Sequence, residues 1–583
     1  MTFSTLTVFR GRRRSFVAAA LTVALPAALV FAGAAPASAN APGNPGTPSA
    51  PVNLFTENFE NGVSSQLAYL SDYTGAAPFD ETYTAAPIWL EGEQCNGLIL
   101  SAQGPSSPPP GVACNGDLGE ALGLGSALGT WEGGDASTNH VLVGYTNGDP
   151  GAGLVELQTV KPIPLPSANR FLIIRSDAAA QNCSGAHPLL LFSVLNGSTV
   201  QPTFSKPIDT CSASQAIVNG TAVGTYTGDE AVLFTGTAAG IQLVNEQGNG
   251  DGNDGAVDDI ELLDATPQLD LSSTTGAIPV GESADLTFTI TNTSDLDAKN
   301  GWSFTANLPS GLTLADDTSA TTCAAATTTP GSAGTGVVEV GGDLGAGQAS
   351  CTVTVHVTSF YGGTYELCAG QISAAVGIDP PGCTSLTFTA PVFDARANGG
   401  LLTAPLSGIG PFAPAGYECL TAPGSSSNSA PGASLGVVGS LGASSTVASG
   451  SIASDGTRTA AATAQNSGIS LLGGLISAGG VTSTAQAQQP LTTSGPGQVS
   501  TSGATTFTGL RIAGISIAAN PGPNTTIGLS GIGVVVLNEQ TAVAGGDGIT
   551  VTGLDLTLIT GIHLTISQST AALLSSTATC PVS

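Results

Sequence analysis

The chain has 583 residues, 79 of them Gly, and only 9% are charged. An ordinary soluble domain carries about 25%, so most of the material for acid–base or nucleophilic catalysis is missing. The 41 acidic residues outnumber the 12 basic ones, for a formal charge of −29. That field repels nucleic acid and anionic membrane surfaces and favours divalent cations.

Residues 1–39 read as a secretion signal. Arg10, Arg12, Arg13 and Arg14 form a positive start, Phe16 to Val30 an apolar run, and Ala37-Ser38-Ala39 a cleavage site. The run is too short for a retained membrane span. Arg13-Arg14 faintly resembles a twin-arginine signal but lacks the preceding Ser or Thr, which favours Sec export. Removing the signal leaves 8 basic against 41 acidic residues, a formal charge of −33. A Pro/Gly/Ser linker follows over residues 40–52.

Beyond it, no helix-period segment of convincing length stands out. Period-2 alternation rich in Thr, Val and Ile recurs instead, as in Leu286–Thr291, Cys351–Val357 and Leu554–Ile559. The predicted fold is all-β, with three consecutive β-sandwich-type domains. Breaks near Ala265-Thr266-Pro267 and Ala390-Pro391 divide them. The first, 53–264, fits a jelly-roll-like sandwich. The second, 267–390, has the size of an Ig-like sandwich. The third, 391–583, is rich in Ala, Gly, Ser and Thr, which suits closely approaching sheets; with no strict repeat, a sandwich is preferred to a β-helix.

Ten cysteines in an exported chain predict disulfides. Their spacing suggests Cys95–Cys114 and Cys183–Cys211 in the first domain. Cys323–Cys351 and Cys368–Cys383 follow in the second, and Cys419–Cys580 in the third. The last pair requires that the third domain's first and last strands lie side by side.

The first domain opens with Glu57-Asn58-Phe59-Glu60 and closes with Asp258-Asp259-Ile260-Glu261-Leu262. This pairing resembles the terminal strands of extracellular jelly rolls such as MAM-type and carbohydrate-binding modules. The resemblance implies adjacent terminal strands whose carboxylates hold a structural Ca²⁺, an ion that prefers hard oxygen ligands. Strand alternation puts Asp258 on the face of Ile260 and Leu262, hence inward, with Asp259 opposite. Glu60 or Glu57 would complete the set, so Glu57, Glu60, Asp258 and Asp259 are the candidate ligands. The alternative is a solvated acidic edge. The run Asn249–Gly255 fails as an EF-hand loop.

Tyr69, Tyr83, Trp89, Trp131 and Tyr145 could form a sugar-stacking platform, although a sandwich of this size needs them in its core. The four histidines, His140, His187, His356 and His563, are scattered, with no nucleophile motif beside them, and His356 should face outward. A glycoside hydrolase would need only two carboxylates, but no pair stands out.

Two further resemblances bear on function. The second domain resembles the Ig-like repeats of unknown function in bacterial surface proteins. The pieces that carry it are Val280–Asn292, Asn307-Leu308-Pro309-Ser310-Gly311-Leu312 and Ala349–Val355. It implies a spacer. The third domain is similar to the choice-of-anchor P family of actinobacterial exported proteins, through Ala395–Leu402, Ser470–Ala478 and Val534–Gln540. The chain's end, Thr579-Cys580-Pro581-Val582-Ser583, carries no Leu-Pro-x-Thr-Gly signal, which points to release or non-covalent retention. The expected role is a non-enzymatic exported surface protein of adhesion or cell-envelope architecture, with an extracellular glycan or protein as partner. A glycan-binding first domain is the alternative, and a carboxylate-dependent hydrolase is third. Neither a nucleic acid nor a membrane span in the mature chain is expected.

Overall fold

Alternating apolar residues bury a strand on one face, and a doubly apolar strand is buried on both. The computed structural model of the chain uses both patterns. It describes residues 44–63, 67–90, 95–105, 118–146, 148–405, 407–492, 495–545 and 547–575. Residues 1–39, read above as a secretion signal, together with Cys114, Cys580 and the closing residues 579–583, lie outside the described residues.

Strands dominate, and nearly every pairing is antiparallel. Between residues 52 and 264, a nine-stranded sheet packs on a six-stranded one. The opening strand, Val52–Glu57, pairs antiparallel with the closing strand, Asp254–Asp264. That closing strand also pairs with Arg170–Gln181 and Val141–Tyr145. Phe55, Phe59, Trp89, Phe192, Phe234 and Ile241 fill the space between the sheets.

One element departs from the sequence expectation. Leu118–Trp131 (LGEALGLGSALGTW) is an α-helix, α1. Leu118, Ala121, Leu124 and Leu128 do recur at helical spacing, but Gly119, Gly123, Gly125 and Gly129 are poor helix formers and disguise the period. α1 covers the outer face of the nine-stranded sheet, where Leu98, Leu100, Val141, Val143, Ala179 and Ala256 meet it. The central strands are therefore buried on both faces.

Residues 268–389 form four-, three- and four-stranded sheets around Phe288, Trp302, Phe304 and Phe388. Strand Ser350–Ser359 alternates strictly: Cys351, Val353, Val355 and Val357 are buried. His356 lies on its outward face, as the alternation predicts.

Residues 392–574 form seven-, five- and six-stranded sheets. Val392–Ala404 and His563–Leu574 lie side by side, with Val392 opposite Leu574. Ala395, Ala397, Ala448, Ala462 and Ala464 meet in one buried cluster. A Cβ at Gly450 would come within 2.5 Å of the Phe393 ring, so the small residues set how closely these sheets approach.

Disulfides join Cys183 to Cys211, Cys323 to Cys351 and Cys368 to Cys383. Cys95 and Cys419 are also disulfide-bonded.

Candidate metal centre

A bulge in the closing strand builds the site. Its register against Arg170–Gln181 shifts between Asp258 and Glu261, and Asp259 has φ of 43°. An extra residue moves the side chains beyond it to the opposite face. Val257 before the bulge and Ile260 and Leu262 after it all enter the inter-sheet core. Ala256 faces α1 instead, and Asp258 shares its parity. Unbroken alternation would have put Asp258 with Ile260. It is buried at 1% exposure, but on the helix side of the sheet.

Two residues the sequence reading did not select meet it there. Asp177 is the register partner of Asp258 on Arg170–Gln181. Glu132 follows the last residue of α1. Carboxylate oxygens of Glu132, Asp177 and Asp259 all lie within 4.8 Å of one another. Glycine makes this approach possible: a Cβ at Gly129 would fall 2.6 Å from Asn139 Cβ. Asn139 Nδ2 in turn donates to Asp258 Oδ2 at 2.8 Å, and the Asp259 amide donates to Asp258 Oδ1 at 2.8 Å.

The four candidate ligands separate. Asp258 and Asp259 belong to this cluster. Glu60 lies close enough for its charge to act on Glu132 and Asp259. Its carboxylate accepts from the His140 amide at 2.6 Å and contacts His140 Nδ1 at 2.8 Å. Glu57 is elsewhere. Buried among the core aromatics, it accepts from Tyr73 and Tyr83 hydroxyls at 2.9 and 2.5 Å and from the Phe59 amide at 2.8 Å. Its face of the opening strand is the core face, which removes it from the ligand set.

The electrostatics are those of crowded acids. Burial, then Asp259 and Asp177, push the Glu132 carboxyl up to about 7. Burial, then Glu132 and Asp259, raise Asp258 well above the usual carboxylate range. Burial and Asp177 raise Asp259. Arg175, whose charge reaches Asp177 and Asp259, is held by Glu261 at 2.8 Å. Glu132 Oε1 is buried with no hydrogen-bond partner. Like charges this close destabilise one another unless protonated or bridged by a cation. The donor set is all hard oxygen, and 4.8 Å is about twice a Ca–O distance. The residues fit a calcium ion.

Other clusters fit less well. His187, Asp209 and Cys211 converge, but Cys211 is bonded to Cys183 and offers no thiolate. Nor is His187 part of a serine relay. Its Nδ1 faces Asp209 at 3.0 Å and its Nε2 faces the Cys183 carbonyl at 3.1 Å, while Ser212 Oγ donates to Asp209 at 2.7 Å. A triad needs the serine on the nitrogen opposite the acid. Glu366 lies beside Cys368 and Cys383, which are bonded to each other. Of the proposed sugar platform, Tyr83, Trp89 and Tyr145 are buried and Tyr69 is exposed. The Trp131 indole donates to Thr225 at 3.1 Å.

Residues 267–387 match a family model described as Domain of unknown function (DUF7933). No curated protein matches the chain.

Proposed function

We propose that this is a non-enzymatic exported protein of the cell surface, serving adhesion or envelope architecture, with a calcium ion closing its first β-unit. The observation that carries this reading is the junction between the first and second units. Arg170, 7% exposed, donates through Nε to Asp264 at 2.8 Å and through Nη2 to Asp379 at 3.1 Å. Asp264 ends the first unit's closing strand, and Asp379 belongs to the second. Phe171 packs in the second unit's core, although its strand belongs to the first. Buried ion pairs are costly and rarely serve stability alone. Here they fix one unit on the next, the requirement of a spacer that presents a surface at a set place.

The ion would be held by Glu132, Asp177, Asp258 and Asp259, with Glu60 close by. When bound, calcium neutralises these acids and cross-links the end of α1 to two strands. The disulfides favour an oxidising compartment. Among the described residues, no helix is long and apolar enough to cross a membrane. The third unit's likeness to choice-of-anchor P proteins supports a place at the cell surface.

Intact-cell labelling with a membrane-impermeant reagent, followed by fractionation, tests the location. Labelled protein at the surface or in the medium is expected; a purely cytoplasmic product overturns the reading.

A further inference from the structure

We propose that the cleft between the second and third units is a saccharide-binding site for neutral pyranose rings. The cleft has a volume of 620 Å³, within the range of about 300–1,000 Å³ that small-ligand sites occupy, often at domain junctions. Among the described residues, three aromatic side chains are exposed: Tyr69, Phe360 and Tyr361. Two of these three are consecutive in sequence and line this cleft. A ring left in water forgoes a large burial gain, and two together make a stacking surface for the apolar face of a sugar.

The platform is held in place. Buried Arg458 of the third unit donates to the Phe360 carbonyl at 2.9 Å. Ser359 Oγ accepts from the Tyr361 amide and donates to the Tyr361 carbonyl, each at 3.0 Å. Leu491 reaches across from the third unit between Gly281 and Gly456, at φ of 82° and 80°. A Cβ on either would come within 2.5 and 2.4 Å of the leucine side chain. These contacts fix the walls before any ligand arrives, which lowers the ordering cost of binding.

The polar lining sets the ligand class. Asp316 and Asp455 face the cleft with Thr313, and no Lys, Arg or His lines it among the described residues. Hydrogen bonds from Thr318 and Thr457 hold the two carboxyls below their usual range. They are acceptors at neutral pH, suited to sugar hydroxyls and repulsive to phosphates and uronates. The cleft shares no residue with the acidic cluster of the first unit, so its test is separate from that of calcium.

The full mature chain on a printed array of neutral and uronate glycans, followed by titration of the best neutral glycan, tests this. Saturable binding with a Kd of about 1 mM or tighter is expected, with none to the uronates. Phe360→Ala and Tyr361→Ala should each weaken it at least tenfold. Ala333→Trp adds bulk at an exposed wall without removing a contact and should abolish it, whereas Trp131→Ala in the first unit should not change it. No binding to any neutral glycan, preference for uronates, or binding that survives Ala333→Trp overturns the proposal. Should Phe360→Ala unfold the chain, Ala333→Trp still decides.

Discussion

Glu156 is a carboxyl group buried at 5% exposure, beside the Trp89 ring and accepting from Asn245 Nδ2 at 3.0 Å. Burial pushes it up to about 7, against 4.5 ordinarily. The folded state therefore holds its proton between those values while the unfolded chain loses it. Stability from this group is intact below about pH 4.5 and falls as pH rises through 7. Glu156→Gln should raise stability at pH 8 by about 3 kcal/mol, given ~1.4 kcal/mol per pKa unit between 4.5 and about 7, and change it little at pH 4.5. Urea denaturation at both values measures this; an equal effect at both contradicts the assignment. The same sign applies to Glu132 and Asp258 without a metal. In chelator the first unit should melt higher at pH 5 than at pH 8, and calcium should flatten that slope by holding the acids ionised.

At the scale of elements, the helix and the bulge decide where those acids stand. Gly129→Ala removes a helix-breaking residue, worth about 1 kcal/mol on propensity alone. Its Cβ would sit 2.6 Å from Asn139 Cβ and 3.1 Å from Ala136 Cα, and overpacking costs about 1–3 kcal/mol. The packing effect should win: the variant melts lower, and Glu132 moves from its partners, weakening calcium binding in the same titration. A higher melting temperature with unchanged calcium affinity would contradict the close approach. The junction gives a second prediction. Arg170→Ala leaves Asp264 and Asp379 buried without their cation, which should cost about 3–5 kcal/mol. Calorimetry should then show the first and second units melting apart, and a single unshifted transition would contradict their coupling. These elements also mark what sequence alone could tell. The alternation in Ser350–Ser359 was plain because no residue interrupts it. α1 was hidden by its four glycines. The inward Asp258 was legible, but not its face, because a one-residue bulge leaves no mark in Asp258-Asp259-Ile260. Asp177 did leave one, a lone acid in RFLIIRSDAAAQ. Glu132 became a partner only through tertiary packing.

Across the whole molecule, closure of ends recurs. In the first unit the opening and closing strands pair, and in the third Val392–Ala404 pairs with His563–Leu574. Cysteine spacing made the local disulfides readable, since each of the three shown spans 15 or 28 residues. A loop of 28 closes at about 3.5 kcal/mol in the chain-entropy model. Reduction should therefore lower the second unit's melting, because it holds two of these bonds. Peptide mapping of the unreduced chain should also recover Cys95–Cys114 and Cys419–Cys580. The junctions and the cleft were not readable, because they join residues distant in sequence, such as Arg170 with Asp379 and Gly281 with Leu491.

The most direct test is calcium binding by the chain. Titration calorimetry and melting would be run with calcium and with chelator, on the wild type, Asp177→Asn and Glu132→Gln. The account predicts one bound ion per chain and a melting temperature raised by calcium, by about 2.7 kcal/mol of stability at 100-fold saturation. Both variants should lose the ion and the shift. Superimposable melting curves in calcium and chelator, with no metal in elemental analysis, would contradict it.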